Sequence, residues 1–189
     1  MSAVDPVALL KADRIRARAN EDPMANLCVL ATVGADSPEV RTLVLRDVDD
    51  RLGLFFNGLS PKAREVSQSD LVAVVVYLPS LSLQYRLRTR LTAIPADIVH
   101  ANWQYRPDVP KKMDWLYERH PQSSAIASRQ RLIEELPTAT PDRAPASAIG
   151  YFLAPVAVER LDLGQDNGVH DRRRYTLRGD GWREQILVP

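Results

Sequence analysis

One cysteine in 189 residues allows neither an intrachain disulfide nor a zinc site built on several cysteines. That residue, Cys28, lies in the apolar run LCVLATV and reads as a small buried hydrophobe rather than a reactive thiol. The three histidines, His100, His120 and His170, lack partners at metal-ligand spacing. No glycine-rich loop follows a strand and opens a helix, which excludes a dinucleotide or Walker-type phosphate cradle. No GxSxG element and no local Ser/His/Asp signature is present. Long hydrophobic runs are also missing: LVAVVVYL at 71–78 falls far short of the roughly 20 residues that span a bilayer. Residues 1–20 carry no secretory pattern. Neither charge sign is in excess, with 25 Lys+Arg against 24 Asp+Glu for a net +1. That balance argues against a nucleic acid or anionic membrane held by bulk charge. The composition, 45% hydrophobic and 26% charged, suits a single globular domain over 1–189, expected to be soluble and cytoplasmic.

Along the chain, Asp5-Pro6 is a good helix start, a capping carboxylate followed by a first-turn proline, and predicts an N-terminal helix within residues 1–20. From residue 27 the period changes. LCVLATV, VRTLVLRDV (40–48) and LGLFFN (52–57) are β-rich runs separated by short turns, which implies antiparallel neighbours. Ser60-Pro61 repeats the helix-start chemistry and predicts a short helix to about Ser67. LVAVVVYL reads as a strand buried on both faces. In LQYRLRTRLTAIP (83–95) Gln84, Arg86, Arg88 and Arg90 alternate with Tyr85, Leu87 and Thr89. Residues 96–135 read as two or three helical pieces interrupted by Pro107, Pro110 and Pro121, and 136–147 as a proline-rich loop. Three further strands are expected, in IGYFLAP, VAVERLDL and RRYTLRGDGWREQILV, the last a hairpin about Gly179-Asp180-Gly181. The sum is mainly β with peripheral α, a mostly antiparallel barrel of six to eight strands with helices outside.

The chemistry left to such a chain is a set of cations and amides at strand and helix ends. Arg41 opens a strand, Ser60 and Lys62 stand at a helix N-terminus, and Gln122-Ser123 precede another helical stretch. Free N–H groups and the dipole at a helix start favour a phosphate, and each charge-assisted bond to a dianion contributes about 1.5–3 kcal/mol. Locally, Ser60 is more often a plain N-cap, and Arg41 and Lys62 are more often solvated charges. Arg86, Arg88 and Arg90 form either an anion-binding stripe or a salt-bridged, subunit-facing sheet surface.

Five segments, MANLCVLATV, RTLVLRDVDDRLGLFFNGLSPKAREV, the QY of 84–85, QSSAIASR and VHDRRRYTLRGDGWREQILVP, occur in an order that resembles the pyridoxamine 5'-phosphate oxidase family. The resemblance runs from Pro23 to Pro189. It implies an FMN-binding split β-barrel that forms a homodimer, with two FMN molecules across the subunit interface. Arg41-Thr42-Leu43-Val44 matches the strand that lines the flavin, with Arg41 on the phosphate. Ser60-Pro61-Lys62 matches a Ser-Arg-Lys phosphate motif and loses its arginine. Phe55-Phe56 matches a Tyr-Thr pair, keeping the aromatic and losing both hydroxyls. Gln84 matches a flavin contact, Gln122-Ser123 a pair that reaches the phosphate from the other subunit, and Arg172 an arginine beside the flavin ring. A family tryptophan over the flavin falls near Leu161.

The substrate shell departs further. Where the family holds a substrate phosphate with lysine, tyrosine, arginine and serine, this chain has Arg46, Asn102, Arg106 and Pro110. An Arg-x-His pair at the substrate ring becomes Gly168-Val169-His170, with Arg173 or Arg174 as candidate stand-ins. The resemblance implies an FMN-dependent oxidoreductase in which Arg46, Arg106 and His170 bind and orient a small anionic substrate. The shell predicts a poor pyridoxamine-phosphate oxidase with another substrate preferred. Two other readings stay open: a non-catalytic flavin or pyridoxal-phosphate binding module, and a deazaflavin-dependent relative.

Overall fold

The computed structural model describes residues 4–179 and 181–189. Helix α1 (Pro6–Ala19) starts where the Asp5 carboxylate accepts the Val7 and Ala8 N–H groups, satisfying donors that a helix start leaves free. Its inward stripe is Leu10, Asp13, Arg14 and Ala17, all buried. Arg14, with no exposed surface, donates to the Ala25 and Leu45 carbonyls and to Asp47. The helix is thereby tied to the chain on either side of the first hairpin. Tyr85 donates to Asp13 and accepts from Arg160, which pins the helix to the barrel wall.

Nine strands follow among the described residues: β1 (Leu27–Val33), β2 (Pro38–Val44), β3 (Arg46–Val48), β4 (Arg51–Asn57), β5 (Leu71–Leu78), β6 (Leu83–Ala93), β7 (Ala148–Asp162), β8 (Asp171–Arg178) and β9 (Gly181–Leu187). They form one curled sheet in the order β2-β1-β5-β6-β7-β4-β3, with β8 and β9 branching from β7. Every pairing is antiparallel. The expected hairpin at 179–181 is present as β8–β9, although its central residue, Asp180, lies outside the described residues. Helix α2 (Pro61–Gln68) follows β4, and α3 (Ala96–Gln104), α4 (Asp108–Leu116) and α5 (Arg129–Glu134) fill the 96–135 interval. Pro110 does not interrupt this stretch; it sits in the first turn of α4, where its missing N–H costs no helix bond.

The two strands expected in 149–163 are one continuous 15-residue strand, β7. One edge of β7 pairs β6 over 151–162, while the other pairs β4 at 148–152 and β8 at 157–162. Pro155 lies between those two partners, and the register against β6 slips there, so that Thr89 faces Pro155 and Arg88 faces Ala157. A bulge accommodates a residue with no N–H and bends its strand. At this bend the sheet divides.

Strand β5 is not covered on both faces. Its exposure alternates, with Val72, Val74, Val76 and Leu78 buried and Ala73 and Tyr77 exposed. An all-apolar run conceals the period of two, and one chain supplies only an inner layer. The inner face carries the core, including Leu30, Leu54, Val74, Val76, Leu87 and Val158, each with under 2% exposure. Each such side chain contributes about 1.5–3 kcal/mol by leaving water. On β6 the inner residues are Leu83, Tyr85, Leu87 and Thr89, and Gln84, Arg86, Arg88 and Arg90 face outward, as the alternation predicts.

Candidate active site

Helix α2 builds the first part of the site. Ser60 caps it: its hydroxyl accepts from Ala63 N–H and donates to the Asn57 carbonyl, and the residue has no exposed surface. The capping reading of Ser60 is thus seen directly, and Ser60 lines none of the clefts described here. Lys62, in the first turn, is 8% exposed, and its Nζ donates to Gln122 Oε1 at 2.9 Å. Burial, with Arg41 nearby, lowers its pKa below the ordinary lysine value. On β2, Arg41 pairs with Glu65 at 2.9 Å and also donates to the Thr32 hydroxyl. Arg41, Lys62, Gln122 and Ser123 line one open cleft together with Thr42, Leu43 and Glu65. Ser123 is held at φ +74°, a left-handed conformation that a serine adopts only at a cost.

Gln122 and Ser123 therefore stand over the Lys62 of their own chain. The expectation that this pair reaches across from another subunit is corrected, because the segment after α4 folds back over the start of α2.

A second groove continues from this cleft. It shares Lys62, Gln122, Thr42 and Leu43 with it and adds Val44, Arg46, Phe55, Phe56, Asn57, Arg106, Asp114 and Tyr117. The groove leads to a more enclosed cavity of about 30 Å³, walled by Phe55, Phe56, Val99, Trp103 and Ile149, with Arg46, Asn102 and Arg106 as its polar groups beside Asp114. Phe55 reaches its place because β7 carries Gly150 opposite it. A Cβ there would lie 2.9 Å from the Phe55 ring. Arg46 has no carboxylate partner among the described residues, and burial together with Arg106 lowers its pKa. Arg106 is ion-paired to Asp114, Nε to Oδ2 at 2.9 Å and Nη2 to Oδ1 at 3.3 Å. The Nε contact is off the N–H axis, which leaves that proton without an acceptor. The Trp103 indole donates to the same carboxylate at 2.7 Å. Burial raises the Asp114 pKa against the opposing pull of Arg106 and Trp103.

Gln84 and Arg172 lie elsewhere. With Arg86, Glu159 and Leu161 they line a pocket on the outer face of the sheet. Arg41 pairs in register with buried Leu30 and shares its inward face, whereas Gln84 alternates with buried Leu83 and Tyr85. Directly paired residues share a face and successive ones alternate, so the two groups stand on opposite sides of the sheet.

The chain matches a family model described as pyridoxamine 5'-phosphate oxidase, FMN-binding domain, over residues 9–95. A pyridoxine/pyridoxamine 5'-phosphate oxidase of Pseudomonas fluorescens is 32% identical, covering 87% of this chain and 79% of that protein. One from Thermosynechococcus vestitus is 31% identical, covering 100% and 90%. The chain belongs to the pyridoxamine 5'-phosphate oxidase family. Solved structures agree on the fold. PhzG from Burkholderia lata, in complex with tetrahydrophenazine-1-carboxylic acid, superposes with a TM-score of 0.84 at 22% identity, covering 98% of this chain and 93% of that one. A pyridoxamine 5'-phosphate oxidase-related, FMN-binding protein from Nostoc punctiforme gives 0.77 at 24% identity over 100% of both chains. The split barrel expected from the sequence is the fold found.

FMN is the cofactor of the pyridoxamine 5'-phosphate oxidase family, and the residues here fit it. A buried ammonium whose single hydrogen bond among the described residues goes to an amide oxygen is poised for an anion. Arg41, the α2 N-terminus, Gln122 and Ser123 supply further donors around one open cleft. The FMN-binding match favours FMN over a deazaflavin.

The family's ring-side substrate residues are less well reproduced. His170 is exposed at the start of β8, on the branch of the sheet away from β3 and β4, and lines neither the groove nor the cavity. One chain does not bring it together with Arg46 and Arg106. The stand-ins are occupied: Arg173 binds Asp171 and Glu184, and Arg174 binds Glu159. Gly168 has φ +72°, so restoring arginine there strains the backbone. Asn102 turns its amide onto the Ile98 carbonyl. Glu65 and Asp114 went unnoticed in the sequence. Glu65 follows Lys62 at i+3, a spacing that places both on one helix face; Asp114 is separated from Arg106 by a helix boundary and carries no local signal.

Proposed function

We propose that two copies of this chain pair through the outer face of β5, β6, β7 and β8 and act as an FMN-dependent oxidoreductase on a small anionic molecule other than pyridoxamine 5'-phosphate. The observation that carries this reading is the division of the cofactor shell. The inner-side set of Arg41, Lys62, Gln122 and Ser123 and the outer-side set of Gln84, Leu161 and Arg172 cannot reach one ligand within one chain. Because β2 is the end strand of the sheet, a second copy packed on the outer face beside that edge brings the outer set of one chain to the inner set of the other. The outer face suits that role. Ala73 and Val75 are flanked by Arg86, Arg88, Glu159 and Arg174 around a broad depression, and Glu159 neutralises Arg172 and Arg174.

In this arrangement Arg41, Lys62, Gln122 and Ser123 hold the terminal phosphate. The backbone of Thr42, Leu43 and Val44 lines the ring, with Gln84 and Arg172 of the second copy offering N–H donors to its edge. FMN, when bound, supplies the hydride-accepting chemistry. The protein's task is positioning and electrostatics. Phe55, Phe56 and Trp103 exclude water from the cavity beside the ring, and Arg46 fixes the substrate's anionic group. His170 reaches this cavity only as a contribution from the second copy. A non-catalytic FMN-binding module is the second reading, favoured by the exposed His170 and the ion-paired Arg106.

Subunit mixing tests the shared site. Lys62→Ala and Gln84→Ala proteins, each weak in FMN binding alone, should recover one tight site per mixed dimer, about one per four chains, when mixed in equal amounts and allowed to exchange. Absence of recovery, or a monomer that binds FMN with full affinity, refutes the arrangement. Steady-state oxidation with dioxygen tests the substrate. A specificity constant above about 10⁴ M⁻¹s⁻¹ for pyridoxamine 5'-phosphate, ordinary for an enzyme, would show that the altered shell still serves that substrate. FMN binding without turnover of any anionic amine or cyclic carboxylate supports the second reading.

A further inference from the structure

We propose that Asp114 sets the charge class of the molecule whose anionic group enters the aromatic cavity, selecting a planar ligand with a single carboxylate over a phosphate monoester. This rests on reading the cavity as the substrate site. Three charged side chains face it: Arg46, Arg106 and Asp114. Asp114 takes two nitrogens of the Arg106 fork, at 2.9 and 3.3 Å, and is itself fixed by the Trp103 indole at 2.7 Å. Its side chain is only 14% exposed, so the pair is a built part of the wall. Arg46 alone is left without a carboxylate among the described residues.

The local charge is therefore +1. A carboxylate brings it to zero, seated on Arg46 with its ring in the adjoining groove against Phe55 and Phe56. A phosphate dianion leaves a net negative charge in a largely apolar cavity, or has to displace Asp114 from Arg106 and leave that carboxylate buried and unpaired. An uncompensated buried charge is strongly unfavourable. Asn102, with its amide on the Ile98 carbonyl, adds no positive charge. The neighbouring cation, Lys62, lies in the adjoining cleft and is held by Gln122.

Benzoate and phenyl phosphate share a ring and differ in the anion, so calorimetric titration of FMN-loaded protein with each, at a pH where phenyl phosphate is a dianion, reads the selection directly. Benzoate should bind wild type at least tenfold more tightly. Asp114→Asn, which keeps an acceptor for Trp103, should shift the ratio toward phenyl phosphate by tenfold or more. Arg46→Gln should abolish benzoate binding. Tighter binding of phenyl phosphate to wild type overturns the proposal, as does binding of neither probe, or a ratio that Asp114→Asn moves less than threefold. If Asp114→Asn does not fold, the wild-type preference and Arg46→Gln still decide. FMN binding is followed separately by absorbance. Benzoate selectivity without FMN binding sinks the oxidoreductase reading and spares this one, and FMN binding without selectivity does the reverse.

Discussion

Replacing Lys62 with alanine should weaken FMN binding by about 10–150-fold. The ammonium is 8% exposed and donates to one amide oxygen, so two of its three N–H groups are free for a phosphate. A charge-assisted hydrogen bond of this kind contributes about 1.5–3 kcal/mol, and each 1.4 kcal/mol is tenfold in affinity. Arg41, Gln122 and Ser123 remain, so binding is reduced rather than abolished. Lys62→Met separates charge from packing, because the side chain also lies over the Phe56 ring at 5.7 Å. Equal losses in the two variants assign the effect to the charge. Because burial and Arg41 lower the Lys62 pKa, wild-type affinity should decline toward alkaline pH earlier than an ordinary lysine would dictate. The cation is the binding form, so affinity is full below that pKa and lost above it. Lys62→Met should lack that limb. Flavin absorbance or fluorescence titration from neutral to alkaline pH provides the measurement. Unchanged affinity in both variants would remove Lys62 from the cofactor site.

Arg14→Met should destabilise the fold by about 3–5 kcal/mol in urea unfolding, since it strands the Ala25 and Leu45 carbonyls and deprives Asp47 of a fully buried partner; a loss below 1 kcal/mol would mean that Arg18 suffices for Asp47. Gly150→Ala should cost about 1–3 kcal/mol through overpacking, because the new methyl lies 2.9 Å from the Phe55 ring and 3.1 Å from Ile94. It should also weaken benzoate binding, and an unaltered melting temperature would contradict the close approach. Val75→Glu places a carboxylate on the outer face of β5 and should yield monomers in light scattering with weakened FMN binding; intact dimers would move the interface elsewhere.

Asp5-Pro6 and Ser60-Pro61 marked two helix starts correctly because capping is decided within four residues. The alternation in 83–93 sorted Tyr85 and Leu87 from Gln84 and Arg86 because a strand's faces are fixed by parity. Arg41, Lys62 and Gln122 stood out as candidate anion donors, and the order of segments pointed to the family. Within one chain the run at 71–78 is covered on its inner face alone; every residue in it is apolar, so its period of two shows only when a layer covers one side. Pro155 suggested a break between strands, yet a bulge against β6 carries β7 through it. Most of the site was decided by long-range folding: the return of 122–123 onto α2, the separation of Gln84 and Arg172 onto the opposite face, and the Asp114 carboxylate on Arg106. Local propensity acts over a few residues and fixes caps, turns and strand faces. Which charges meet depends on contacts far apart in the sequence, such as the 60 positions between Lys62 and Gln122, and these exist only once the sheet has curled and its core has closed.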